Sequence, residues 1–350
     1  MDEQATTTTT SVLRPPAEAG LHAVNGTAPV RAVLAGIGTY LPRTVLTNDA
    51  LAERVDTSDA WIRERTGIRQ RYLADPDETC AAMATAAARA ALADAGATAA
   101  DVDAIILGTS TPDQAFPATA ARVQGELGAG GFAFDVSAAC SGFIYALSIA
   151  DALVRTGQAR GVLVIGAEVF SRIMNWQDRG TCVLFGDGAG AVFLRAAPGT
   201  AGRDVPGILS THLHSDGRLG DILYVDGAVG RADRPGHLVM NGKEVFRHAV
   251  NRLSESVDEA LAANGLTIAD IDWLVPHQAN MRIVDAIAKR LHLPTDRVVV
   301  TIDRHANTSA ASIPLALAEA HADGRLQPGQ VVLLSALGGG LTWGSALVRM

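Results

Sequence analysis

At 350 residues the chain exceeds one ordinary core and has room for two fused halves. Its 48% hydrophobic and 19% charged residues make it globular rather than disordered, and a net charge of -8 argues against a nucleic-acid partner. Cys80, Cys140 and Cys182 are odd in number, widely spaced and free of any C-x-x-C pair, which argues against a disulfide framework or a cysteine zinc site and fits a reducing compartment.

The first 29 residues hold a threonine tract, a Pro-Pro pair and scattered charge, without the basic start and apolar stretch of a secretory signal, and read as a mobile tail. Elsewhere the apolar runs are broken by Gly, Asp or Arg before the about 18 residues a membrane span needs, so a cytoplasmic protein off the membrane is expected.

From Val30 strands and helices alternate. "VRAVLAGIGTYLP" predicts a strand ending at a glycine turn, "SDAWIRERTGI" a short charged helix, and "ETCAAMATAAARAALADAG" an alanine-rich helix closed by Gly96. "VDAIILGTS" is a continuous apolar strand of the kind buried on both faces. Next come the strand "FAFDV", the helix after Cys140, the strand "RGVLVIGAE", and "TCVLFGDGAGAVFLRA" as a strand pair.

Beyond a polar stretch near 197–207 the rhythm returns. "GKEVFRHAVNRLSESVDEALAANG" predicts a helix stopped by Gly265, "IDWLVPHQ" a strand, and "NMRIVDAIAKRLH" an amphipathic helix. "RVVVTI" follows as a strand, "TSAASIPLALAEAHADG" as a helix, "QVVLLSAL" as a strand, and "GGGLTWGSALVRM" as the last turn and strand. Such alternation calls for parallel-rich sheets covered by helices. "SAACSG" and "NTSAASIP" each open a helix, and "FGDGAGAVFL" and "LGGGLTWGSALV" each close a half, which points to a duplicated unit.

Cys140 admits two readings. Free cysteine is among the most buried residue types, yet a thiol at a helix N-terminus meets unpaired N–H donors that favour thiolate, and its neighbours Ala138, Ala139, Ser141 and Gly142 leave room for a substrate. His277, in "LVPHQAN", is one of nine histidines, and Asn307, in "DRHANTSAAS", has the ordinary role of a helix N-cap open to it. Glycines 338–340 lack the lysine and serine of a P-loop, which leaves a tight turn or an exposed N–H aimed at a reacting oxygen. The "GIG" at 36–38 lacks the third glycine of a dinucleotide site, and His212 with His214 lacks a third zinc ligand, so no metal is expected. Together, Cys140, His277, Asn307 and the triple glycine supply the parts of a thiol acyl-transfer site.

The stretches "DTSDAWIRERTGIRQR", "DVSAACSGFIYAL", "FGDGAGAVFL", "VPHQANMRI", "NTSAASIPLAL" and "GGGLTWGSALVRM" resemble β-ketoacyl-acyl-carrier-protein synthase III, an initiating condensing enzyme of the thiolase superfamily. The resemblance implies an α/β, thiolase-like, five-layered α/β/α/β/α fold from two related halves, as a homodimer. The expected division is a tail at 1–29, a half at 30–202 with the nucleophile, and a half at 203–350 with the histidine and asparagine. Cys140, His277 and Asn307 take the catalytic positions, and Cys140 and Gly339 the oxyanion hole. Trp61 and Arg179 match positions that sandwich adenine, and Arg65, Arg247 and Arg282 match basic positions where coenzyme A phosphates and an acidic carrier protein dock. Phe116 matches a residue that closes the partner's acyl pocket.

The implied substrates are acyl-CoA and malonyl-acyl carrier protein, with no cofactor. An acyl group moves to Cys140; malonyl decarboxylation leaves an enolate that His277 and Asn307 stabilise; the carbanion then attacks the acyl carbonyl. Leu337 and Leu341 stand where the family often has phenylalanine, and Leu337 is expected beside the catalytic residues. Ala306 stands where glycine commonly precedes the asparagine. Three other readings compete: acyl transfer to an alcohol, amine or water; a non-catalytic partner subunit; and a cysteine peptidase, which the duplication does not support.

Overall fold

The continuous apolar runs become the central strands of two sheets. The computed structural model describes residues 30–198, 205–227 and 236–350; the expected tail at 1–29 and the expected division at 202/203 lie outside the described residues. The first sheet has the order Val30–Tyr40, Gly188–Pro198, Gly161–Glu168, Ala104–Gly108, Phe132–Val136, with two antiparallel pairings followed by two parallel ones. In the second, Gly207–Ser215 pairs with Thr342–Arg349 and that with Val331–Gly338, both antiparallel, and Trp273–Pro276 completes it in parallel. The two follow one plan, except that the fifth position of the second sheet is a single parallel bridge between Leu274 and Val298.

Period-two alternation divides each central strand between two cores. Ile106 and Val164 of the first sheet and Val275 and Leu334 of the second face a shared cluster with Phe143, Leu147, Ile313 and Leu317, so the helices Gly142–Arg155 and Ser312–Ala322 lie between the sheets. Ile105, Leu107, Leu163 and Ile165 point the other way, onto the helix Cys80–Asp94. Leu274, Leu333 and Leu347 point onto Gly242–Asn264 and Met281–Arg290. With Thr119–Leu127 beside Cys80–Asp94 on the outside of the first sheet, helix pair, sheet, helix pair, sheet and helix pair make the five layers that the resemblance implies.

The central helices begin alike. A 3-10 turn, Ala139–Ser141, feeds the first, and another, Ser309–Ala311, feeds the second. Ala139 (φ 46°) and Ser309 (φ 50°) both take the left-handed conformation, so Ala310 occupies in the second half the place of Cys140 in the first. Each turn packs on the other half's central strand through a glycine. A Cβ on Gly338 would fall 2.5 Å from Cys140 N, and one on Gly166 would collide with the Ala310 carbonyl.

Two expected strands are corrected. "TCVLF" is not paired as a strand: Cys182, Val183, Leu184 and Phe185 are buried in a turn-rich segment, with one bridge from Phe185 to Asn307, and only Gly188–Pro198 is a strand. "RVVVTI" has only the Val298 bridge, because the Gln278 Oε1 accepts the Thr301 and Ile302 N–H groups (2.9 and 3.2 Å) and turns the chain into the short helix Ile302–His305. Among the described residues, no helix is long and apolar enough to cross a membrane.

Candidate active site

Three segments end at one cavity of about 880 Å³, lined by Cys140, His277, Asn307, Leu337 and Gly339. Cys140 sits in the 3-10 turn that enters the first central helix. Its thiol is buried, and burial pushes it up to about 12, with the Glu168 charge acting the same way and a hydrogen bond with Ser309 acting against it. Of the two readings open in the sequence, the buried one describes the resting state: loss of hydration keeps the group a thiol.

His277 follows the strand Trp273–Pro276, with its N–H on the Ser335 carbonyl at 2.8 Å. Its Nδ1 lies 2.6 Å from the Ser312 hydroxyl, which accepts the Gln278 N–H at 3.3 Å. When the hydroxyl gives its proton to Nδ1, the other ring nitrogen is the N–H donor. Burial holds the imidazole down at about 3, so it is neutral at ordinary pH. Gln278 is spent on structure: its amide NH2 bonds the Pro276 and Val299 carbonyls at 2.8 and 3.1 Å. Asn280 caps the next helix through the Arg282 N–H at 2.9 Å.

The N-cap of the 3-10 turn falls at Thr308, which corrects the capping role open to Asn307; the asparagine instead ties the turn by its side chain. Its Oδ1 accepts the Ser309 N–H at 2.9 Å, and this leaves its NH2 for the cavity that the residue lines. The backbone is held on both sides: Asn307 N–H donates to the Leu184 carbonyl at 2.9 Å, and its own carbonyl accepts the Gly186 N–H at 3.0 Å. Ala306, where the family commonly has glycine, has φ 58° and ψ −160° and is fully buried. A side chain there costs about 1–3 kcal/mol of backbone strain.

The glycine run lies against the cysteine turn. Besides the Cys140 contact, a Gly338 Cβ would sit 3.0 Å from the Ala138 carbonyl oxygen and from Ser141 N. Neither Cys140 N–H nor Gly339 N–H donates to a backbone carbonyl among the described residues.

The other expected residues divide. Arg65 and Arg282 line the cavity, with Arg282 also donating to the Glu64 carbonyl at 3.3 Å. Trp61 is off the wall, its ring covered by the guanidiniums of Arg65 and Arg179 at 4.8 and 5.4 Å from the centroid, and Arg179 bonds the Asp56 carbonyl at 2.9 Å. Arg247 is exposed, paired with Glu244 and off the wall, whereas Lys243 and Phe246 beside it are on it. Phe116 is 84% exposed and away from the cavity. His212 and His214 both reach Glu259, at 3.3 and 2.6 Å.

Sequence reasoning passed over Lys243, Ser309, Ser312 and Glu168. Lys243 opens a helix and Ser312 reads as helix interior. Glu168 had a signal: an acid ending the otherwise apolar run "GVLVIGAE".

A thiol open to acyl exchange, beside two uncharged donors able to hold an enolate, suits carbon–carbon bond formation between thioesters. The class is that of the thiolase-fold condensing acyltransferases. Two family profiles match, 3-oxoacyl-[acyl-carrier-protein] synthase III over residues 134–217 and the C-terminal part of the same synthase over 261–350. The chain is 69% identical over 323 residues to the β-ketoacyl-[acyl-carrier-protein] synthase III of Granulibacter bethesdensis, covering 91% of this chain and 99% of that one. It superposes on the 3-oxoacyl-[acyl-carrier-protein] synthase III of Aquifex aeolicus with a TM-score of 0.84 at 47% identity, covering 91% of this chain and 100% of that one. The priming β-ketosynthase of the R1128 polyketide pathway gives a TM-score of 0.87 at 36% identity, over 93% and 98% of the two chains. The chain belongs to the β-ketoacyl-[acyl-carrier-protein] synthase III family and is an acyltransferase of decarboxylative condensation.

Proposed function

We propose that Cys140 accepts an acyl group from acyl-CoA and that a malonyl group on acyl carrier protein is then decarboxylated and joined to it, giving a 3-oxoacyl-acyl carrier protein. The observation that carries this reading is the meeting of the Cys140 thiol, the neutral His277 and the Asn307 carboxamide on one cavity wall. Loss of CO2 puts negative charge on the malonyl thioester oxygen, where the free imidazole N–H and the Asn307 NH2 receive it. A donor fixed in this way contributes roughly 3 kcal/mol in the transition state, because it needs no reorganisation. The acyl-Cys140 carbonyl develops charge in turn, and the Cys140 and Gly339 N–H groups serve it.

Arg65, Lys243 and Arg282 give a basic stretch of wall on a chain of net charge -8, which suits coenzyme A phosphates and an acidic carrier protein. Adenine would enter between the Trp61 ring and the Arg179 guanidinium that now covers it, and be sandwiched by the two. Leu337, beside the catalytic residues, trims the acyl end. Phe116 leaves a large apolar side chain in solvent on one chain, as a residue reaching into a second copy would, so a homodimer is the working assembly. No cofactor enters these steps. Likeness to the R1128 priming enzyme favours priming of a polyketide as a second setting for the same chemistry.

The test is intact-mass measurement after incubation with a panel of acyl-CoAs, together with CO2 release from malonyl-acyl carrier protein. One adduct on Cys140, absent in Cys140→Ala, is expected. Loading without CO2 release in the wild type would point to acyl transfer onto an alcohol, amine or water instead.

A further inference from the structure

Glu168 ends the central strand Gly161–Glu168, is fully buried, and has no part in the chemistry above. Four groups donate to its carboxylate. The Ser110 N–H reaches Oε1 and Oε2 at 3.1 and 3.0 Å, the Thr111 and Thr109 hydroxyls reach Oε2 at 2.6 and 3.3 Å, and the Ser309 hydroxyl reaches Oε1 at 3.0 Å. Thr111 Oγ1 accepts the Val169 N–H at 2.8 Å, so its own proton is aimed at the carboxylate.

Ser309 is the joint. Its N–H orients Asn307, its hydroxyl donates to Glu168, and its turn packs against Ala139–Ser141, where that hydroxyl acts on the Cys140 thiol. The titratable groups facing Glu168 are thus two thiols, Cys140 through Ser309 and Cys80 through Thr109, whose Oγ1 is 3.5 Å from Cys80 Sγ. Burial pushes the carboxyl up to about 7 against the pull of these donors, close to where a proton acceptor works best at neutral pH. A thiol raised by burial does not ionise unaided, and the Ser309 hydroxyl that acts on it already points at a carboxylate.

We infer that Glu168 is the proton acceptor for Cys140, acting through the Ser309 hydroxyl, and that it returns the proton when condensation frees the sulfur. This rests on Cys140 being the acyl carrier. In loading, the S–H bond breaks as Ser309 Oγ takes the proton and passes its own to Glu168 Oε1. The sulfur bonds the acyl carbon, the carbon–sulfur bond to coenzyme A breaks, and the departing thiolate takes a proton from water. In condensation, the malonyl carboxylate leaves as CO2, its electron pair forms the new carbon–carbon bond, and the freed Cys140 sulfur regains the proton from Glu168 along the same path. The one proton that decarboxylation requires is thereby supplied inside the site.

The experiment is the rate of acyl loading against pH by quenched intact mass, with acetyl-CoA and hexanoyl-CoA as probes, in wild type, Glu168→Gln, Glu168→Asp and Ser309→Ala. Alanine suits the last position, since Ala139 holds the same backbone conformation in the other half. Wild-type loading should rise with pH to a plateau as Glu168 ionises. Glu168→Gln and Ser309→Ala should lose that limb and load about a hundredfold more slowly at neutral pH, while Glu168→Asp keeps part of it. CO2 release from malonyl-acyl carrier protein, which needs only His277 and Asn307, should persist in all three. An unchanged or faster Glu168→Gln, or equal loss of loading and CO2 release, would overturn the relay. Absence of any wild-type adduct, or its survival in Cys140→Ala, would instead overturn the acyl-carrier reading.

Discussion

Gly338→Ala probes the seam between the cysteine turn and the glycine run. The new Cβ would lie 2.5 Å from Cys140 N and 3.0 Å from both the Ala138 carbonyl oxygen and Ser141 N. Ordinary contact begins at 3.4 Å, so the first of these is short by about 0.9 Å (3.4 minus 2.5), and all three atoms are backbone. No side chain can swing aside, and the turn itself has to yield. Overpacking of this kind costs about 1–3 kcal/mol of stability. Moving the sulfur by roughly 1 Å costs about a hundredfold in loading rate. Urea melts measure the first quantity, and single-turnover mass spectrometry with an acyl-CoA the second. Gly125→Ala is the control: it sits in the helix Thr119–Leu127 with nothing within 4 Å of its added Cβ, and should gain up to about 1 kcal/mol with loading unchanged. Wild-type melting and loading in Gly338→Ala would refute the claim that the glycine is required by close packing on the nucleophile.

Further outcomes are expected. His277→Ala and Asn307→Ala should still form the acyl adduct but condense about a hundredfold or more slowly, as followed by product formation from malonyl-acyl carrier protein. Ser312→Ala removes the proton that fixes the His277 tautomer and should slow CO2 release about tenfold, with loading spared. The pH dependence of stability follows from His277. Its folded value of about 3 lies below the ordinary 6.5, so the unfolded chain binds the proton first, and stability is full above 6.5 and lost as pH falls toward 3. By pH 5.5 the loss is about 1.4 kcal/mol, and His277→Gln should remove it from urea melts run across that interval. Glu168, held above its ordinary value, acts in the opposite sense between 4.5 and about 7, but equally in both proteins, so the difference isolates the histidine.

Much of the fold was legible because continuous apolar runs such as "VDAIILGTS" and "RGVLVIGAE" admit little besides doubly buried strands. "TCVLF" and "RVVVTI" misled for a common reason: burial of an apolar run does not require a strand partner. The first run is buried in a turn-rich loop, and the second is diverted by the Gln278 amide. Among site residues, Cys140, His277 and Asn307 carried recognisable motifs, whereas Ser312 and Ser309 act through single hydroxyls whose direction depends on the opposing element. The protonation of Cys140 stayed open in the sequence because a helix terminus is visible there and depth beneath the surface is not.

The paired turns at Ala139–Ser141 and Ser309–Ala311 divide the chemistry between the halves. One half carries the sulfur, while the other has Ala310 at that spot and contributes the groups that handle charge. Neither segment expressed alone could turn over substrate, because the thiol lies in one and the imidazole and carboxamide in the other. The symmetry holds in the architecture, and the labour is split across it.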